Sequence, residues 1–169
     1  MSTSSPAAEP PLRVLIVDDC RDNADTLVLL LTQWGFDARP AYDANSAVSL
    51  AVTFVPDVVM ADIAMPGATG LDLAARLREL DPGLHSLVAI TGYADDEHRD
   101  AAARAGFDFY FVKPPDLEEL HGLLDAAGRV AAHCRRIAAF ADCAEVLTTE
   151  VRGLIDDIRG ELRSVRAIV

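Results

Sequence analysis

The chain's 169 residues, 51% of them hydrophobic, suit one domain with a substantial buried core plus an appendage. A formal charge of −12, with Lys113 the single lysine among 15 basic residues, disfavours nucleic acid and anionic membranes and favours metal ions or basic partners. Three scattered cysteines (Cys20, Cys134, Cys143), no secretion signal core and no membrane-length apolar run argue against a disulfide framework, zinc or a membrane span, and a cytoplasmic protein is expected.

Residues 1–11 are small, polar and proline-rich and read as a flexible leader. Arg13-Val-Leu-Ile-Val17 is a continuous apolar run, expected as a buried strand, and it ends in Asp18-Asp19-Cys20. Asp22 or Asn23 is placed to cap a helix that carries Ala24, Leu27, Val28, Leu30, Leu31 and Trp34 at helical spacing and stops at Gly35. Phe36–Ala41 is a weaker second strand, and Asn45 to about Phe54 is a helix halted before Pro56. Asp57-Val-Val-Met-Ala61 is a third strand; it ends at Asp62 and runs into the Pro/Gly-rich loop that reaches Gly70.

Leu71–Leu80 forms the next helix, closed by the Asp81-Pro82-Gly83 turn. Ser86–Ile90 is a fourth strand ending in Thr91-Gly92, and Asp95-Asp96-Glu97 is an acidic first turn for a helix that stops at Gly106. Phe107–Val112 is a fifth strand followed by Lys113-Pro114-Pro115, and Asp116 caps a helix from Leu117 to about Ala127. Five strand–helix alternations predict an α/β fold, a doubly wound (βα)5 parallel sheet with helices on both faces. Right-handed crossovers place all five strand ends on one edge.

That edge gathers Asp18 and Asp19, Asp62, Thr91 and Lys113. Three carboxylates held close repel one another unless something neutralises them, and such an oxygen set suits a hard divalent cation, magnesium in particular. Lys113 supplies a point charge for a phosphoryl oxygen, Thr91 a hydroxyl, and Gly92 a close backbone approach. With charge drawn away, Asp62 is expected to act as a nucleophile toward phosphorus and form an aspartyl phosphate.

The acidic pair, Asp62-Ile-Ala-Met-Pro66 with Gly70 four residues on, the strand-end Thr91 and Lys113-Pro114 together resemble the receiver domain of two-component response regulators, over about Leu12 to Ala127. The wording Ile90-Thr-Gly-Tyr93 and Ala105-Gly-Phe-Asp108 is most similar to receivers attached to hybrid histidine kinases. The resemblance implies a flavodoxin-like strand order 2-1-3-4-5 and Asp62 as acceptor from a kinase phosphohistidine. It implies Mg2+ or Mn2+ held by Asp19 and Asp62, by Asp18 through water and by the Ala64 carbonyl. Thr91 and Lys113 are implied to bind the phosphoryl group, Tyr110 to be the switch aromatic moving with Thr91, and Ala64 and Tyr93 to tune phosphate lifetime. Self-catalysed transfer and autodephosphorylation, rather than turnover of a separate substrate, are implied. Three departures stand out: Thr69 replaces the commoner Asp before Gly70, Pro115 follows Lys113-Pro114, and the Asp62–Thr91 spacing is one residue short.

The expected domain spans 12–128, and residues 129–169 form a helical extension. Arg129–Ala141 is Ala-rich, and Val146, Leu147, Val151, Leu154, Ile155, Ile158, Leu162 and Val165 recur at three- and four-residue spacing, an amphipathic stripe. The extension has no room for a typical DNA-binding domain, and its apolar face is expected to pair with a second copy as a homodimer or dock on a partner. A sensor or hybrid histidine kinase or a histidine phosphotransfer protein is the expected phosphoryl donor. Two alternatives compete: a relay through a tail phosphotransfer site at His133, and a scaffold that is never phosphorylated. Cys20, beside the acidic pair, is expected to be a small packing residue.

Overall fold

The computed structural model describes residues 10–81 and 86–141. Five strands and five helices alternate: β1 (Arg13–Val17), α1 (Arg21–Gln33), β2 (Asp37–Ala41), α2 (Ala44–Phe54), β3 (Val58–Ala61), α3 (Gly70–Leu80), β4 (Ser86–Thr91), α4 (Asp96–Ala105), β5 (Phe109–Val112) and α5 (Leu117–Ala141). All strand pairs are parallel and the order is β2-β1-β3-β4-β5. The central strands are mostly apolar because helices cover both faces; β3 and β4 are buried along their whole length.

Alternation along each strand feeds two cores. Leu15, Val17, Val59, Ala61, Leu87 and Ala89 face one, where α2, α3 and α4 contribute Ala47, Phe54, Leu73, Leu77 and Ala102. Val14, Ile16, Val58, Met60, Val88 and Ile90 face the other, against Ala24 and Leu31 of α1 and Leu120, Leu123 and Leu124 of α5. Each of these fully buried large side chains contributes about 1.5–3 kcal/mol relative to exposure, so the two layers fix the register of every strand.

Part of the acidic excess lies in helix caps. Asp43 accepts from the backbone N–H groups of Asn45 and Ser46, Asp95 from His98 and Asp116 from Glu118 and Glu119. Thr69, the departure before Gly70, forms a capping box with Asp72: the Thr69 hydroxyl accepts from Asp72 N at 3.2 Å and the Asp72 carboxylate from Thr69 N at 3.0 Å.

Two helix ends differ from expectation. The first helix begins at Arg21, and neither Asp22 nor Asn23 caps it; Cys20 stands at the cap without a side-chain bond, and its own N–H donates to the Asp18 carboxylate at 2.9 Å. The last helix does not stop at Ala127 but runs through Gly128 to Ala141. Tertiary packing overrides the glycine there: Gly128 lies against Leu12, and Ala131, a turn further, is buried in the α1/α5 core. Residues 1–9, the loop 82–85 and the stripe from Val146 onward lie outside the described residues, and with them most of the leader, the short Asp62–Thr91 spacing and the second tail helix. Among the described residues no helix is long and apolar enough to cross a membrane.

Candidate functional site

The parallel order brings the carboxyl ends of β1, β3, β4 and β5 side by side, and backbone bonds tie those ends together. Asp62 N–H donates to the Val17 carbonyl at 2.9 Å, Asp18 N–H to Ala41 at 3.2 Å and Lys113 N–H to Thr91 at 2.8 Å. Each side chain of the expected site therefore leaves a strand whose position the sheet already sets.

Asp18, Asp19 and Asp62 offer carboxylate oxygens that all lie within 4.8 Å of one another. Asp18 is buried, Asp62 retains 9% exposure, and Asp19 is open to solvent. The Lys113 ammonium bridges the two covered carboxylates, 2.7 Å from Asp18 Oδ2 and 2.5 Å from Asp62 Oδ2. Burial pulls the Lys113 pKa down, but the hydrogen bonds to Asp18 and Asp62 outweigh it and hold the ammonium above its usual range. Each covered carboxylate also has local donors: Cys20 N–H and the Asn23 amide, at 3.5 Å, for Asp18, and Ala64 N–H at 2.9 Å for Asp62.

Gly70 stands against the back of Asp62. A Cβ there would fall 2.2 Å from the Asp62 carbonyl oxygen and 2.8 Å from Ile63 Cα, so only glycine lets the start of α3 close on the loop. Gly70 N–H completes that closure by donating to the Ile63 carbonyl at 3.1 Å.

Thr91 is fully buried, and among the described residues its hydroxyl is reached only by the Tyr93 N–H at 3.4 Å, a weak bond that leaves it available. Tyr110 is buried with its hydroxyl donating to the Tyr93 carbonyl at 2.8 Å, while Arg99 sits 4.9 Å over its ring. Burial, then the nearby Asp95 carboxylate, push the Tyr110 phenol up. Tyr93 itself is exposed and stacks on His98 at 3.9 Å. Tyr93 thus joins the threonine and the tyrosine through its backbone, a link that no residue pattern displays.

His133 is not part of this edge. It lies on α5, and its Nε2 is buried without a hydrogen-bond partner among the described residues. Cys20 is exposed rather than a packed filler, because the Asp18–Cys20 turn holds it at the rim. The Lys113–Pro114 peptide bond is cis.

The donor set fits a hard divalent cation. It consists of charged oxygens from two strand ends, and the exposure of Asp19 leaves room for the waters such an ion retains.

A model of the response regulator receiver domain matches residues 14–125. The chain belongs to that family. The receiver is 40% identical over 108 residues to an uncharacterized 14.6 kDa protein of Leptolyngbya boryana, covering 63% of this chain and 82% of that one. It is 36% identical over 110 residues to the response regulator MprA of Mycolicibacterium vanbaalenii, covering 65% of this chain and 47% of MprA. The receiver thus spans about half of that regulator's length. Among solved structures, a response regulator receiver protein from Pseudomonas putida superposes with a TM-score of 0.62 at 28% identity, over 68% of this chain and 96% of that one.

Proposed function

We propose that this receiver accepts a phosphoryl group from a phosphohistidine onto Asp62. The observation that carries the reading is the Lys113 ammonium bridging Asp18 and Asp62 beside the open carboxylate of Asp19. Asp19 and Asp62 would hold Mg2+ or Mn2+ directly, with Asp18 acting through water and the Ala64 carbonyl completing the protein ligands. Such an ion, when bound, supplies positive charge that offsets the carboxylates and the phosphoryl oxygens.

An Asp62 oxygen attacks phosphorus as the bond to the donor's imidazole nitrogen breaks. The electron pair of that bond stays on the nitrogen, and a ring protonated at its other nitrogen leaves neutral. Lys113 is already charged and within reach, so it passes from carboxylate to phosphoryl oxygen without a proton transfer. Thr91, with its hydroxyl nearly free, donates to a second phosphoryl oxygen, and its movement is passed to Tyr110 by way of Tyr93. A sensor or hybrid histidine kinase, or a histidine phosphotransfer protein, is the donor. The phosphorylated state is read by a partner or by the C-terminal extension, alone or paired with a second copy. The chemistry is a self-catalysed transfer followed by autodephosphorylation.

Incubation with acetyl phosphate and Mg2+, followed by intact mass, tests this reading. One phosphoryl group is expected on the wild type and none on Asp62→Ala or with excess chelator. Equal gain in Asp62→Ala, or none in the wild type, would overturn it and leave a scaffold.

A further inference from the structure

Helix α4 buries fewer residues than any other helix: Ala102 alone is fully covered, while Asp96, Glu97 and Asp100 stand in solvent. A helix with so little buried surface opens locally at low cost, so the contacts at its N-terminal end decide where that end sits.

His98 makes those contacts. Its ring lies flat on that of Tyr93, centroids 3.9 Å apart and planes 9° from parallel. Its Nδ1 is 2.7 Å from one Asp95 carboxylate oxygen and 2.9 Å from the other; an ionised carboxylate only accepts, so a proton sits on Nδ1. The same carboxylate caps α4 by accepting the His98 backbone N–H at 3.0 Å. The bond from the ring, then the one from the backbone, hold the Asp95 carboxyl below its usual range. Asp95 thus fixes the plane of the imidazole. Tyr93 is 42% exposed, so its ring is held by this stack rather than by the core.

What Tyr93 holds in turn lies at the site. Its N–H reaches the Thr91 hydroxyl at 3.4 Å, and its carbonyl takes the Tyr110 hydroxyl at 2.8 Å. Arg99, next to His98 in the chain, covers the Tyr110 ring at 4.9 Å. The first turn of α4 therefore reaches Thr91 through Tyr93, and Tyr110 through both Tyr93 and Arg99.

We propose that His98 is a positioning residue: pinned by Asp95 and stacked on Tyr93, it holds the Thr91 hydroxyl in its resting place and so restrains phosphoryl uptake at Asp62. The restraint on uptake rests on the phosphoryl reading of Asp62; the hold on Tyr93 does not. As Thr91 turns toward a phosphoryl oxygen it draws the Tyr93 peptide with it, and the Tyr93 ring slides off the imidazole. The stack therefore opposes the phosphorylated arrangement, and by linkage that arrangement loosens the stack.

Amide exchange and phosphoryl uptake on the full chain test the proposal. His98→Ala keeps the backbone N–H that Asp95 caps and removes the ring alone. Without a phosphoryl donor, its Tyr93 amide is expected to exchange about two- to ten-fold faster than in the wild type, the worth of one aromatic stack. His98→Phe, which keeps a flat ring, is expected to bring exchange back toward the wild-type rate. With acetyl phosphate and Mg2+, His98→Ala is expected to gain its phosphoryl group faster by about the same two- to ten-fold factor, at an unchanged half-saturating acetyl phosphate concentration. In a Tyr93→Ala background the same substitution is expected to add nothing. Tyr93 exchange that is unchanged in His98→Ala overturns the proposal, as does exchange in His98→Phe as fast as in His98→Ala. Uptake equal to the wild type, or a His98→Ala effect that persists without the Tyr93 ring, overturns it too. No uptake in the wild type or any variant would overturn the reading at Asp62 instead, and the exchange result then decides the role of His98.

Discussion

Asp57 is a buried carboxylate that the proposed phosphoryl chemistry does not use. It is 4% exposed, accepts from the Arg13 backbone N–H and guanidinium, and meets Arg135 at 3.1 Å. Burial pushes its carboxyl up, but the Arg13 hydrogen bonds and both guanidinium charges hold it below the ordinary value of 3.8. A depressed folded pKa means that Asp57 stabilises the fold above the unfolded value and loses that contribution as pH falls through the folded one. Asp57→Asn is expected to cost about 2–3 kcal/mol in urea unfolding at pH 7, because two arginines keep only a neutral partner. The difference should shrink steadily below pH 3.8. Lys113 has the opposite sign: its raised pKa gives stability that is whole below 10.5 and lost as pH rises through the folded value. The sequence displays Asp18, Asp19, Asp62, Thr91 and Lys113 because topology alone sends strand ends to one edge. It hides the role of Asp57, which reads only as the first residue of the third strand, since its Arg135 partner lies 78 residues away.

Helix α5 shows how far a local signal reaches. Gly128 marks a helix end by propensity, yet the helix continues because Leu12 and the buried Ala131 hold the following turn. A Cβ at Gly128 would meet Leu12 Cβ at 3.8 Å, an ordinary contact. Gly128→Ala is therefore expected to raise stability by about 0.5–1 kcal/mol, visible as an increase in Tm with unchanged α5 exchange boundaries. The other elements were legible to within a few residues, because apolar runs of period two and helical runs bounded by Gly, Pro or Asp leave few readings. What failed was the start of α1, which begins at Arg21 with Cys20 at the cap, directly after the Asp18–Cys20 hydrogen bond, rather than after Asp22 or Asn23. Thr69 reads in sequence as a family departure, and its role becomes plain only in the capping box with Asp72.

At the scale of the whole molecule, the family match ends at residue 125, ahead of the residues that tie α5 to the lower edge of the sheet. Ala131 and Arg135 extend the receiver's own packing into the appendage, so the expected boundary at 128 falls inside a continuous helix. A chain ending at residue 128 is expected to be about 2–4 kcal/mol less stable than one ending at 141, since it loses a buried alanine turn and the second arginine on Asp57. Denaturant midpoints of the two truncations check this. Asp57→Asn should also cost less in the shorter chain, the coupling expected of groups in direct contact.

Strand β3 is short, wholly buried and held at both extremities. Below it, Asp57 is locked to β1 through its own N–H and the Arg13 N–H and guanidinium, and to α5 through the Arg135 guanidinium; above it, Asp62 N–H is locked to the Val17 carbonyl. In mechanical terms β3 is a beam clamped at each end, unable to slide along its axis. A load applied at Asp62 must therefore be shed sideways, into the loops that begin at Thr91 and Lys113 and share a single backbone hydrogen bond. Under the proposed phosphorylation of Asp62, β3 would be the anchor against which its neighbours move.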